Sequence, residues 1–173
     1  AAAFAGCDLA LFVAGAEVSS DYVGTASEAG AFVIDGSSAM RLANDVPLIV
    51  PEVNGALLRR YLDARRRDQA ARIVASPAAS STQLSVVLKP LLDAAGLKRV
   101  VVSTYQSVSG AGQAGMDELW NQTLAIFRQE NLPKKKFPHQ ISFNCIPHID
   151  DFTPTGDTRE EERAILETRK ILE

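Results

Sequence analysis

Four stretches of this 173-residue sequence could hold an anionic ligand: Ala14-Gly15-Ala16, Gly36-Ser37-Ser38 with Arg41, Ser76-Pro77-Ala78-Ala79-Ser80-Ser81, and Gln106 with Ser109-Gly110-Ala111-Gly112. In an open parallel sheet, ligands gather beyond the carboxyl ends of the strands, where such loops and the helix N-termini after them offer free backbone N–H groups. Taken singly, each stretch is also what an ordinary turn demands. Cys7 and Cys145 are the only thiols, far apart and without CxxC spacing or a neighbouring His/Cys set, so neither a disulfide framework nor a metal site is expected. Cys145 is expected to be a packed strand residue rather than a nucleophile.

The elements that must position these corners can be read from periodicity and punctuation. Asp8 to Gly15 is an apolar run closed by glycine. Ser19, Ser20 and Asp21 then cap a helical stretch to Gly30, and Ala31 to Asp35 repeats the strand signal. This predicts a βαβ unit whose two parallel strands are apolar throughout, as buried strands are. Val46 to Val50 reads as another strand. Gly55 to about Arg67 reads as an amphipathic surface helix with Leu57, Leu58, Tyr61 and Leu62 on one face. Arg72 to Ser76 is predicted to be a strand, and Thr82 to Ala95 a helix bent at Pro90 and closed by Gly96. Valine-rich Lys98 to Thr104 and Gln140 to Ile146 are predicted strands on either side of a helix from Met116 to Gln129. A last helix follows Thr158, acidic in its first turn as the helix dipole favours. The fold class expected is α/β.

Hydrophobic residues make up 46% and charged residues 23%, the balance of a soluble globular protein. The net charge of -3 argues against a general nucleic-acid surface. Two local basic clusters, Arg59-Arg60 with Arg65-Arg66-Arg67, and Lys134-Lys135-Lys136, read as solvated faces. No apolar run approaches the roughly 20 residues of a membrane span, and Ala1 to Ala5 lacks the regions of a signal peptide, so no membrane partner and a cytoplasmic location are expected. The sequence starts without methionine, almost at once in a strand, and its last helix has no stop signal; it is expected to be part of a longer polypeptide.

Five segments in order carry a specific resemblance: Val33-Ile-Asp-Gly-Ser-Ser-Ala-Met-Arg41, Val46-Pro-Leu-Ile-Val-Pro-Glu-Val-Asn54, Thr82-Gln83, Ser103-Thr-Tyr-Gln-Ser-Val-Ser-Gly-Ala-Gly112, and Phe143-Asn-Cys-Ile-Pro-His-Ile-Asp150. Together they resemble the bacterial aspartate-semialdehyde dehydrogenases, over nearly all of the chain but only about the central half of a family member. The resemblance implies the later part of an NADP-binding domain over residues 1–76, then the first part of an α+β catalytic and dimerisation domain over 77–173. It implies NADPH-dependent reduction of aspartyl phosphate to aspartate semialdehyde through a cysteine thioester, on the route to lysine, methionine and threonine, by a homodimer or tetramer.

That chemistry needs a thiolate, donors for the thioester oxygen, a cation for phosphate and a proton shuttle. The family's nucleophile lies in a Pro-Asn-Cys pattern at a helix start, where the dipole lowers the thiol pKa. Here the pattern reads Pro77-Ala78-Ala79, so Ala78 stands at the asparagine position and Ala79 at the cysteine position. Ser80 has no adjacent strong base and is a poor substitute. By the same resemblance Gln106 orients the substrate, Arg41 takes its phosphate with a bidentate guanidinium, and Gly15, Ser37, Ser38, Ser109 and Gly110 face the cofactor. Glu160 falls on a substrate-binding glutamate, and Arg163 falls where the family has a phosphate-binding lysine. Their spacing of three equally suits a simple surface pair. His139 and His148 are structural in this pattern, and the family's catalytic histidine falls outside the sequence. Two readings follow: an enzyme whose nucleophile position holds alanine and which is inactive as it stands, or a non-catalytic relative keeping dimerisation and NADP binding as a scaffold or regulator. Arg41 and Gln106 are expected to face one cleft with the Ala79 corner.

Overall fold

The computed structural model describes residues 2–68 and 72–173, without the side chains of residue 2 and residues 64–68. The Arg65 to Arg67 half of the first basic cluster therefore lies outside the described side chains. Strands β1 (Leu9–Phe12), β2 (Phe32–Asp35) and β3 (Ile73–Ala75) form a parallel sheet in that order. The register aligns Phe12 with Asp35 and Asp35 with Ala75, so all three strands end at one level and the corners that follow leave from the same edge. Helices α1 (Ala16–Glu28), α2 (Pro51–Asp68), α3 (Ala79–Ala95), α4 (Gly112–Arg128) and α5 (Arg159–Leu172) complete the α/β architecture expected from the sequence.

The chain divides into two compact units, Ala1–Arg99 with Glu161–Glu173, and Val100–Glu160. In the first, α1 buries Ser19, Val23 and Ala26, spaced as one helical face. Val23 and Ala26 join Phe12, Val33, Leu48, Val50, Ile73, Ala75 and Ile171 in the core. Full burial of a residue such as Ile171 contributes roughly 1.5–3 kcal/mol, against about 0.3–0.5 kcal/mol for an exposed i,i+4 pair such as Lys89 with Asp93. The apolar anchor therefore outweighs any surface pair in holding α5. Inside α2, Asn54 leaves helical geometry (φ -128°, ψ 29°), and its side chain takes over the local bonding. Oδ1 accepts the Val50 N–H at 2.9 Å, while Nδ2 donates to Leu48 O at 2.9 Å and Ile171 O at 3.3 Å.

Four expectations about strands are corrected. β1 is apolar but one-sided: Leu9 and Leu11 are more than half exposed and only Phe12 is buried, because no described element covers that face. Val46 to Val50 makes a single parallel bridge, Leu48 to Ala75, rather than a strand. Neither Lys98 to Thr104 nor Gln140 to Ile146 is a strand among the described residues, and Val100, Val101 and Val102 are exposed. Valine favours a pleated, half-buried surface, but a strand also needs a hydrogen-bonding neighbour, and none is described beside these segments.

The second unit is built on buried polar groups instead of a sheet. α4 buries Gly115, Glu118, Gln122 and Ala125 along one face. At Gly115 a Cβ would stand 2.7 Å from the Ala111 Cβ and 3.0 Å from Val108 O, so only glycine lets the 3-10 turn Val108–Ala111 lie against the helix. Gln122 Oε1 accepts the N–H groups of Ile141 (2.9 Å) and Ser142 (3.1 Å), and its Nε2 donates to Pro133 O at 2.8 Å. These bonds hold a turn closed by Asn144 N and Ile141 O at 3.2 Å, where a strand was expected. The Glu118 carboxylate accepts the N–H groups of Lys135, Lys136 and Phe137 and a bond from Gln122. Burial pushes its pKa up, and the three backbone N–H groups with Gln122 outweigh burial and hold it below the usual 4.5.

A carboxylate with a depressed folded pKa contributes stability that is present above 4.5 and lost as pH falls through the folded value. Glu118→Gln is therefore expected to lower stability at pH 7 by about 1–3 kcal/mol, the cost of unpaired buried N–H groups, and to flatten the loss of stability below pH 4.5. Urea unfolding at several pH values checks this; a variant as stable as the parent at pH 7 contradicts it.

Candidate active site

The first unit gathers the Ala79 corner, Arg41 and the β1 and β2 ends. Pro77 is buried, and Ala78 sits extended at the N-cap of α3 (φ -61°, ψ 153°) with no side-chain cap, as alanine dictates. The first helical bond runs from Thr82 N to Ala78 O at 2.9 Å. Ala79 is exposed, in the first turn of a helix whose N-cap residue supplies no side-chain acceptor. A group on its Cβ would meet the partial positive charge that stabilises a thiolate or an oxyanion.

Arg41 lies beside that corner, with its guanidinium held by internal partners. Nε donates to Ser76 O at 3.0 Å, Nη2 to Gly36 O at 3.1 Å, and Nη1 to Glu167 Oε1 at 3.2 Å. Glu167 Oε2 also accepts the Ala78 N–H at 2.8 Å. Its side chain is only 1% exposed, so the carboxylate forms the floor of the corner rather than its mouth. From the same helix, Lys170 Nζ donates to Arg41 O (2.9 Å), Ala43 O (2.6 Å) and Val46 O (2.8 Å). Burial depresses its pKa below 10.5, partly offset by the charge of Asp45.

The glycine and serine corners sit at the same sheet edge. Gly15 ends the β1 turn with φ 104°, a conformation L side chains rarely adopt, and caps α1 without a side-chain bond. Asp35, fully buried at the end of β2, accepts Ser19 Oγ at 2.8 Å, Ser37 N at 3.0 Å and Ser37 Oγ at 3.1 Å. Ser37 Oγ in turn accepts the Ala39 N–H, while Ser38 is exposed.

In the second unit the structure brings two expected site residues together: Gln106 Nε2 donates to Glu160 Oε1 at 3.3 Å. Ser109 and Gly110 lie on the exposed 3-10 turn, where Ser107 and Ser109 share a 2.6 Å hydroxyl contact. Ser107, Val108 and Ser109 line an apolar cavity of about 470 Å³ with Met116, Trp120 and Phe143. Arg163 is one helical turn beyond Glu160 on α5. Cys145 is exposed and outside any strand, just after the turn that Gln122 holds at Ile141 and Ser142, which corrects its reading as a packed residue. His148 packs at 5.1 Å on Phe152, and His139 is exposed. Among the described residues no group of three His, Cys, Asp or Glu could hold a metal, and no helix is long and apolar enough to cross a membrane.

Sequence reasoning missed Glu167 and Lys170. Their one signal was phase: with Arg163 and Ile171 they recur at three and four residues on a helix otherwise read only for its first turn.

Comparison with known proteins bears on the same segments. Residues 1–61 match the family described as semialdehyde dehydrogenase, NAD binding domain, and residues 88–173 match semialdehyde dehydrogenase, dimerisation domain. The chain is 48% identical to the aspartate-semialdehyde dehydrogenase of Aquifex aeolicus over 98% of its own length and 48% of that protein. To aspartate-semialdehyde dehydrogenase 2 of Vibrio cholerae it is 46% identical, over 95% of the chain and 47% of the relative. The crystal structure of aspartate semialdehyde dehydrogenase II from Vibrio cholerae, complexed with ASA, superposes with a TM-score of 0.86 at 44% identity, covering 95% of the chain and 47% of that structure. A probable aspartate-semialdehyde dehydrogenase from Pseudomonas aeruginosa superposes at 0.84 with 30% identity, covering 98% of the chain and 48% of that structure. The chain thus spans about half the length of the relatives it matches, and it belongs to the aspartate-semialdehyde dehydrogenase family.

Proposed function

We propose that this chain supplies the later part of the NADP-binding domain, residues 1–76, and the first part of the catalytic and dimerisation domain, residues 77–173, of an aspartate-semialdehyde dehydrogenase. The reaction is NADPH-dependent reduction of aspartyl phosphate to aspartate semialdehyde through a cysteine thioester, serving lysine, methionine and threonine synthesis in the cytoplasm. The single observation that carries the reading is the corner at Ala79: an exposed helix N-terminus beside an arginine already fixed in place. In this reading a thiolate at position 79 attacks the acyl carbon, phosphate leaves toward Arg41 and Arg163, and Gln106 and Glu160 hold the aspartyl portion. Alanine at 79 has no sulfur to form the thioester, so the chain as it stands is inactive.

The cofactor corner fits a dinucleotide: positive-φ Gly15, the uncapped start of α1 and the exposed Ser38 stand together at the carboxyl edge of a parallel sheet. When bound, NADPH supplies the hydride. Gly15, Ser37 and Ser38 are assigned to hold it, and Ser109 and Gly110 are given a cofactor role by the resemblance alone. For the homodimer, the supporting feature is the apolar face of the second unit, where Trp120, Phe127 and Phe143 are 63%, 75% and 73% exposed. The alanines at 78 and 79 favour a second reading, a non-catalytic relative that keeps dimerisation and NADP binding.

One measurement separates these readings, and a second tests the dimer face. With this chain replacing the corresponding half of the Aquifex aeolicus relative, the alanine form is expected to show no phosphate-dependent reduction of NADP by aspartate semialdehyde. Ala78→Asn with Ala79→Cys is expected to raise turnover by roughly 10⁴-fold or more. No turnover in the restored form, with dimer and NADP binding intact, favours the non-catalytic relative. Light scattering of the chain itself is expected to give a dimer that Trp120→Glu converts to monomer; an unaltered mass contradicts the assigned face.

A further inference from the structure

We infer that Glu167 is a positioning residue for the anion site at the α3 N-terminus, acting through the Ala78 N–H and the Arg41 guanidinium. The inference rests on the reading of the Ala79 corner as that site. The Glu167 carboxylate bridges the two groups at 2.8 Å and 3.2 Å, and Ala78, the N-cap residue, makes no side-chain cap of its own. A guanidinium carries five N–H donors. Ser76 O, Gly36 O and Glu167 take three of them, which fixes the plane of the group and leaves the remaining Nη hydrogens for a ligand.

Glu167 is itself unsuited to touch an anion: it is negative, and its side chain is 1% exposed. What it can do is choose the direction in which Arg41 and the start of α3 point. Lys170, one turn on, clamps the backbone of the arginine segment at three carbonyls, and Ile171 roots the helix in the core at 2% exposure. A buried carboxylate is costly unless paired and hydrogen-bonded, and this one has both kinds of partner. The arginine is thus oriented before any ligand arrives, so the ligand need not order it.

Glu167→Gln gives a decisive test because its two consequences have opposite sign. It removes a negative charge, which by Coulomb attraction alone tightens phosphate binding. It also leaves one oxygen to serve two donors, which frees either Ala78 or Arg41 and weakens binding if orientation matters. Inorganic phosphate is titrated into the full chain while the amides of Ala78, Ala79 and Ser80 and the Arg41 Nε–H are followed by nuclear magnetic resonance. The unsubstituted chain is expected to bind with a resolved, exchange-protected Arg41 signal. The Gln variant is expected to bind about tenfold more weakly with that signal lost. Glu167→Asp, which keeps the charge but shortens the arm, is expected to weaken binding as well, and it decides the matter if the Gln variant does not fold. Equal or tighter binding in the folded variants overturns the inference. Weaker binding with both the Arg41 signal and the Ala78 amide shift intact also overturns it, because the loss then passes through neither group. If the unsubstituted chain does not respond to phosphate, the anion-site reading fails, and positioning is decided by the Arg41 and Ala78 signals alone.

Discussion

One buried carboxylate joins the parts of the chain that must agree. Glu167 comes from the last helix, Arg41 from the loop after β2, and Ala78 from the turn after β3, so three distant segments share a single hydrogen-bonded group. Charge-assisted bonds of this kind are roughly twice as strong as neutral ones, and leaving either partner unmet carries a full desolvation cost. The aligned strand ends make the arrangement possible. Because Phe12, Asp35 and Ala75 stand level, every loop that could touch a ligand in the first unit leaves from one edge.

The second unit solves a different problem with similar means. It has no regular sheet among the described residues, yet Glu118 and Gln122 gather the backbone of residues 133–142 around α4. Each replaces ladder partners that a strand would have supplied, and each is satisfied within the unit. The polar interior leaves the apolar side chains of α4 facing outward, the surface assigned above to a second copy.

The first unit was largely legible from sequence because its signals are local. Apolar runs ended by glycine marked β1 and β2, and Gly96 does close α3, with its N–H bonded to Leu92 O at 2.9 Å. Pro90 lies inside that helix as read. The valine run at 100–102 misled because strand propensity describes a surface waiting for neighbours, and the neighbours are not a local property. Apolar β1 was read as buried on the same incomplete ground. Glu167, Lys170, Glu118 and Gln122 look like solvated charges and amides on amphipathic helices. Only long-range contact, 126 residues in the case of Arg41 with Glu167, reveals that they hold the loops.

The central claim is that position 79 was shaped to hold a negative sulfur. It is tested most directly by the pH dependence of iodoacetamide alkylation of Ala79→Cys in a background where Cys7 and Cys145 are serine. The account predicts a thiol pKa at least about one unit below the ordinary value of about 8.5, with alkylation slowed by inorganic phosphate. A pKa at or above the ordinary value, indifferent to phosphate, would contradict it.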